Sequence, residues 1–292
     1  MPDKPMSTQA EQAAGPDPAA LAAPAAPGRD PEAVRRTSRF NLAWPSILLV
    51  LVGVAIWEIY VRLQDVSPSV LPAPIDITQS SWDDRDNLGN ALWVTFQETI
   101  MGLAIAVVSA IVLAVAMDFI PWVRRGIYPI LVSSQTIPIV AIAPLVIIWF
   151  GFGLLPKVLV VAFYTFFPIV VGLAQGLAST DPDAMNLLRS MRATRWQIFL
   201  RTRLPSSLPS FFTGLRITVT YAVVAAVFAE YVGSFEGLGI YMQQMRNAYR
   251  TDLVFGAVLM TMLLTLLLFL IVVIIERIVM PWHRSTQKDE RW

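Results

Sequence analysis

Between Arg125 and Lys157 the chain runs 31 residues, Gly126 to Pro156, without a single charged side chain. Past Lys157 it runs 23 more, Val158 to Thr180. A helix crossing the ~30 Å hydrocarbon core of a bilayer needs about 20 mostly apolar residues. Three other runs approach or exceed that length: Phe40 to Trp57 with 18 residues, Thr99 to Met117 with 19, and Leu253 to Ile275 with 23. A shorter run of 13, Ile217 to Ala229, is flanked by Phe211, Phe212, Leu215, Tyr231 and Val232. It spans if Arg216 snorkels toward the headgroups. The expectation is an all-α polytopic membrane protein with six transmembrane helices, near 43–63, 90–118, 126–150, 157–178, 208–232 and 252–280. Composition agrees. Charged residues are 15% of the chain, against about 25% in a soluble domain. The first span begins past residue 40, behind a polar tail, which suits a retained anchor rather than a signal peptide.

Lys and Arg set the orientation. If the N-terminus is cytoplasmic, one side of the membrane holds 17 of them: five in the tail, Arg124 and Arg125, six from Arg189 to Arg216, and four after residue 276. The other side holds Arg62, Arg85, Lys157, Arg246 and Arg250. The positive-inside rule then puts both termini in the cytoplasm. Four regions follow. Residues 1–40 are an Ala-, Pro- and Asp-rich stretch expected to be a disordered cytoplasmic tail. Residues 41–88 hold the first span and an outside connection, expected to be extended because Pro68, Pro72 and Pro74 punctuate it. Residues 89–280 form the main transmembrane domain, and 281–292 a second cytoplasmic tail.

Several chemistries are excluded. The chain has no cysteine and one histidine, His283, so thiolate nucleophiles, Cys-ligated metals and His-rich metal sites are out. No metal, cofactor or catalytic residue is expected. A net charge of +1 argues against a nucleic-acid partner. No phosphate-cradling G-x-x-x-x-G-K-[ST] occurs, so the chain cannot bind ATP in that way.

The most informative polar segment lies between the fourth and fifth spans. Asp181-Pro182-Asp183 reads as a helix start, with Asp as N-cap and Pro at the first helical position. Ala184 to Ser190 can form about two turns. Thr194 can cap a second short helix over Arg195 to Arg203, which Leu204-Pro205 is expected to close. Met185 and Leu188 share one face of the first helix, and Trp196, Phe199 and Leu200 one face of the second. Two readings compete for this basic, amphipathic hairpin: a helix lying on anionic lipid, or a docking element for a soluble partner.

Here the sequence resembles a family. Residues 181–216, from Asp181-Pro182-Asp183-Ala184-Met185 to Gly214-Leu215-Arg216, resemble the coupling loop of permease subunits of ATP-binding-cassette importers. The nearest group is the type I, binding-protein-dependent nitrate/sulfonate/taurine family. Leu71-Pro72-Ala73-Pro74, Pro138 to Leu145 with Trp149-Phe150-Gly151-Phe152-Gly153, Phe166-Phe167-Pro168-Ile169, and Ala229-Glu230 with Gly233 to Gly239 match further family motifs in order. The resemblance covers roughly residues 70–280 and makes 89–280 an importer transmembrane domain. It implies that Asp183, Met185, Leu188, Arg189, Ser190, Arg192, Ala193, Thr194, Trp196, Phe199 and Pro205 belong to the ATPase-coupling loop. One departure stands out. The family's Glu-Ala-Ala, then Gly three residues on, is here Asn186-Leu187-Leu188 with Arg192. If that turn is left-handed, Arg costs about 1 kcal/mol relative to Gly.

Polar groups inside spans are the other candidates, since a charge in hydrocarbon costs about 2.5–3.5 kcal/mol on insertion scales. Glu58, Glu98 and Glu276 sit near span ends, where a carboxylate can reach water or a neighbour. Glu230 precedes a glycine-spaced segment containing Gly233 and Gly239. It either bonds within the bundle beside a translocation path or caps the helix at its solvent end. Gln135, Pro138 and Pro144 suggest a kinked third span facing protein or a water-filled cavity.

The expected function is that of a permease subunit in an ATP-driven importer of the bacterial cell membrane. It would pass a small solute delivered by an extracytoplasmic solute-binding protein, as a homodimer carrying two separate ATPase subunits. The solute leans toward a vitamin-related heterocycle, with sulfonate, taurine and nitrate as the other classes. A secondary transporter or channel is the alternative, and would show more buried charge along a route and no orphan hairpin.

Overall fold

The computed structural model describes residues 40–281, with side chains from residue 44 onward. The expectations for residues 1–39 and 282–292 therefore lie outside the described residues. Among the described residues every regular element is helical. Five helices are long and apolar enough to cross a membrane, or six if one bent pair counts as a single span.

Helix α1 is Phe40–Leu63. The connection that follows is not extended throughout, as the prolines suggested. It contains α2, Pro74–Asp83, a helix that starts with proline at its first turn. Proline restrains the residue before it, yet its own fixed φ suits a helix's first position. Only Asp84 separates α2 from α3, Arg85–Phe119. The expected boundary at residue 88 thus falls inside α3.

The expected third span is broken. Helix α4, Pro121–Ser134, and helix α5, Ile139–Phe150, meet at an angle of 105°. The cause is local: Pro138 takes an extended conformation (ψ 135°) and offers no N–H to continue α4. Arg124 and Arg125 lie on α4, so the expected cytoplasmic loop at 119–125 shrinks to Ile120.

Helix α6, Leu154–Ala178, is the central element, packing on α3 and α9 more extensively than on any other helix. Small residues permit these approaches. A Cβ on Gly102 of α3 would lie 2.5 Å from Val161 Cβ, and one on Gly176 would lie 2.8 Å from the Ser207 carbonyl oxygen. Around α6 runs the main apolar core, including Ala110, Ile169, Val170, Val219 and Leu268.

Two short helices follow, α7 (Pro182–Ser190) and α8 (Arg195–Ile198). A π-helical turn, Phe199–Arg203, then leads directly into α9, Leu204–Gly233. Pro205 does not close α8, as expected, but sits in the first turn of α9. The wider π turn, in which the Leu204 N–H reaches the Phe199 carbonyl, carries the chain past the proline without a break. An unforeseen helix, α10 (Leu238–Asn247), precedes the last, α11 (Thr251–Val279).

Candidate functional site

The hairpin of α7 and α8 is built by its caps. The Asp181 side chain accepts from the Asp183 N–H at 2.9 Å, as its position before Pro182 required. Thr194 and Gln197 form a reciprocal capping box, with bonds of 3.3 and 2.8 Å. Between the helices, Arg192 is left-handed, with φ 61°. The Ala193 N–H reaches Leu188 O at 3.0 Å and the Arg192 N–H reaches Arg189 O at 2.9 Å. Those two bonds define a Schellman cap, whose left-handed position usually holds glycine. The turn is therefore the one the family's Gly suits, and Arg192 occupies it at the steric cost anticipated.

The apolar residues of the hairpin divide differently from the helical-face expectation. Leu187, Met191, Trp196 and Leu200 are exposed, while Met185 and Leu188 are half-buried. Phe199 is only 3% exposed, against 54% for Trp196. It packs with Ala114, Leu173 and Leu177 in a small core, and its ring lies 5.3 Å from that of Phe119. Phe199 therefore roots the hairpin in the membrane bundle rather than facing outward. Trp196 stacks on it at 5.4 Å with rings 19° apart. A second root is polar: Arg203 pairs with Asp118 at 2.7 Å and donates to the Leu177 carbonyl at 3.1 Å. Asp183, Arg189, Ser190, Ala193 and Thr194 shape or flank the two caps.

At the end of the bundle where α10 lies, a second arrangement appears. Glu230 and Glu98 are fully buried and Lys157 is 6% exposed. Thr95 Oγ1 donates to Glu230 Oε1 at 2.6 Å and accepts from the Leu238 N–H at 2.9 Å. The Gly239 N–H donates to Glu230 Oε2 at 2.6 Å. The first two amides of α10 have no partner within their own helix. They are instead satisfied by a carboxylate from α9 and a hydroxyl from α3, where negative charge is also favoured by the helix dipole. Glycine makes the fit possible: a Cβ on Gly237, which has φ 111°, would overlap the Glu230 carboxyl group, and one on Gly239 would overlap Glu230 and the Val227 carbonyl.

Glu98, beside Glu230, pairs with Lys157 of α6. Lys157 Nζ also donates to Ser234 Oγ at 2.9 Å. That hydroxyl donates in turn to the Glu236 carbonyl at 2.5 Å and accepts from the Glu236 N–H at 3.2 Å. Desolvating charges is expensive, and removing one member of a buried pair typically costs about 3–5 kcal/mol. Glu230 thus bonds within the bundle and does not cap α9 toward solvent. Glu98 does not reach water either. Lys157, counted above with an outside loop, is a helical residue in the interior.

The remaining candidates sit elsewhere. A Cβ on Gly233 would press on Ile147 of α5, so this glycine sets the α5–α9 approach. Gln135 lines a cavity of about 440 Å³ together with Gln175, Ser210 and Thr213, apart from Glu230. Pro138 and Pro144 shape α5 and its break. Sequence reasoning missed Thr95, Lys157, Asp118 and Arg203. The signal for Lys157 was present: it is the sole charge from Gly126 to Thr180.

Next to the α10 end a polar cleft of about 830 Å³ opens, lined among others by Asp83, Asp84, Trp93, Glu236 and Arg250. Tyr241 of α10 donates to Asp84 Oδ2 across it at 2.5 Å. Burial and the Asp84 carboxylate both push the Tyr241 phenol above its usual range.

Comparison with known proteins identifies the class to which this helical bundle belongs. Residues 102–284 match the family described as binding-protein-dependent transport system inner membrane component, so the chain belongs to that family. It is 39% identical over 239 residues to the formylaminopyrimidine transport permease ThiX of Halalkalibacterium halodurans, covering 82% of this chain and 95% of that protein. It is 31% identical to the riboflavin transport system permease RibX of Chloroflexus aurantiacus, covering 86% and 95%. The taurine transport system permease TauC of Escherichia coli is 28% identical over 85% of this chain and 96% of its own. In fold it is similar to a chain of the methionine transporter MetNI, with a TM-score of 0.59 at 20% identity over 66% of this chain and 96% of that one. The chain is a permease subunit of an importer of the inner membrane.

Proposed function

We propose that the α7–α8 hairpin is the docking element for a separate ATP-binding-cassette ATPase, and that the chain passes a small heterocyclic solute handed over by a solute-binding protein. The carrying observation is the hairpin's asymmetry. Leu187, Met191 and Trp196 are exposed on a segment that Phe199 and the Asp118–Arg203 pair fix firmly to the membrane helices. Exposed apolar residues on a rigid base suit a partner surface, because little ordering is needed on binding. In this arrangement both termini and the hairpin face the cytoplasm, and α10 faces outward. The charge count supports that side even with Lys157 removed from the outer tally, leaving four Lys and Arg there against 17 inside. Two copies of the chain would enclose the path and carry two ATPases. A formylated pyrimidine or a related vitamin precursor is the solute class supported by the likeness to ThiX and RibX.

The test is recovery of the ATPase on tagged permease in detergent. Trp196→Ala is expected to reduce it about tenfold or more, the effect of removing roughly 1.5–3 kcal/mol of buried aromatic contact. Full recovery, together with altered association of the loop with bilayers, would leave the lipid-surface reading.

A further inference from the structure

The buried polar groups at the α10 end hold together α3, α6, α9 and α10. Glu230 and Thr95 pin the first turn of α10 from α9 and α3. Lys157 of α6, held by Glu98 of α3, reaches the Ser234–Glu236 turn through one hydroxyl. That turn is the weak point of the seal. Its Phe235 is 80% exposed and Glu236 is exposed, and its attachment to the bundle's charges passes through Ser234 Oγ. Helix α10 packs through Leu238 and Tyr241 onto an apolar layer of Leu88, Ala91, Leu253 and Ala257. Ala91, Tyr241 and Leu253 of this layer line the cleft, whereas Leu238 and Ala257 do not, and α10 cannot move without breaking its bonds to Thr95 and Glu230.

We propose that Lys157, Glu98 and Ser234 are positioning residues of an outer latch: they hold the Ser234–Gly239 turn and α10 shut over the bundle, and opening the latch admits solute. This rests on the reading of the chain as an importer whose α10 end faces outward. None of the three side chains need touch solute. Lys157 acts through Ser234, and Glu98 acts by holding the Lys157 side chain toward it. The hydrogen bonds from Lys157 to Ser234 and from Ser234 to the Glu236 carbonyl are directional and short-ranged, so the latch has two discrete states rather than a continuum of partly open ones.

The chain contains no cysteine, so a single introduced thiol reports without background. Ala257→Cys places one in the layer under α10, where the residue is fully buried. Labelling is followed with a membrane-impermeant maleimide applied to each face of vesicles in turn, on the complex with its ATPase. ATPase retention is checked first by the pull-down above, so a lost response to ATP is not confused with lost docking. Labelling from the face opposite to that expected would overturn the orientation, not the latch.

In the Ala257→Cys background, labelling is expected to be slow without ATP and faster with ATP. Adding Ser234→Ala or Lys157→Met should raise the ATP-free rate about tenfold, the equivalent of one hydrogen bond to a charged group, and should abolish most of the ATP response. Lys157→Arg, which keeps charge and donors, should label at the parent rate. Ser234 is only partly buried, so Ser234→Ala decides the matter even if Lys157→Met fails to accumulate. Labelling of Ser234→Ala at the parent rate, or a parent that labels equally with and without ATP, overturns the assignment.

Discussion

Trp196 and Phe199 stack on each other, yet truncating them should damage different things. Phe199 is 3% exposed and sits among Ala114, Leu173, Leu177 and Phe119. Removing its ring leaves a cavity at the junction of α3, α6 and the π turn. Phe→Ala changes at such sites cost about 3–5 kcal/mol. For a chain of this size that is a drop in apparent melting temperature on the order of 10 °C. Trp196 is half exposed and touches the rings of Phe199 and Phe119, so its loss forfeits two solvent-facing ring contacts, each at the low end of about 0.5–1.5 kcal/mol. The assay is paired: thermal stability of each purified variant in detergent without ATPase, then ATPase recovery at a temperature where both are folded. Phe199→Ala should lower stability strongly. Trp196→Ala should leave stability within a few degrees and lose the ATPase. If both variants keep parental stability and both lose the ATPase equally, Phe199 faces the partner, and the rooted-hairpin argument is wrong.

Arg192→Gly should relieve the left-handed strain of the Schellman cap. Slower amide exchange in α7 with unchanged ATPase recovery is the expected result, and a loss of recovery would mean the Arg192 side chain itself contacts the partner. Gly237→Ala combines a positive φ with a Cβ falling on the Glu230 carboxyl, so insertion with parental stability would contradict the packing at that turn. A reporter active only in the cytoplasm should give signal when fused after Trp292 and none when fused after Arg246; the reverse pattern refutes the orientation. Tyr241 carries a raised pKa, so the fold retains its proton where the unfolded chain loses it. Stability should be unaffected below pH ~10 and should fall as pH rises above it, and Tyr241→Phe should remove that alkaline component of the decline.

Spans were legible because hydrocarbon demands long uncharged runs, and the ends of α11 fell within a residue of those expected. Caps were legible too, since Asp181 and Thr194 act through neighbours in sequence. The 105° break was only half legible: Pro138 and Pro144 announced a kink, but the angle depends on what α5 packs against. Helix α10 was missed because its first amides are satisfied from Thr95 and Glu230, 143 and 9 residues away from their partners Leu238 and Gly239. The Glu98–Lys157 pair was missed for a related reason. Each residue alone resembles a charge at a span's edge, and only the close packing of α3 on α6, allowed by Gly102, brings them together. Phe199 misled because helical spacing defines a face but not which side of it the bundle lies on.

Helix α3 carries Thr95 and Glu98 near one end and Asp118 and Phe119 at the other. Thr95 and Asp118 are 23 residues apart on an unbroken helix, a lever of about 35 Å. Pivoting such a rod by about 5° about its Asp118 end sweeps the Thr95 end through roughly 3 Å, the full donor–acceptor length of a hydrogen bond. A side-chain bond cannot stretch that far and survive. A rotation too small to change the outline of the bundle is therefore large enough to break the bond from Thr95 to Glu230, and the mechanical gain is set by helix length alone.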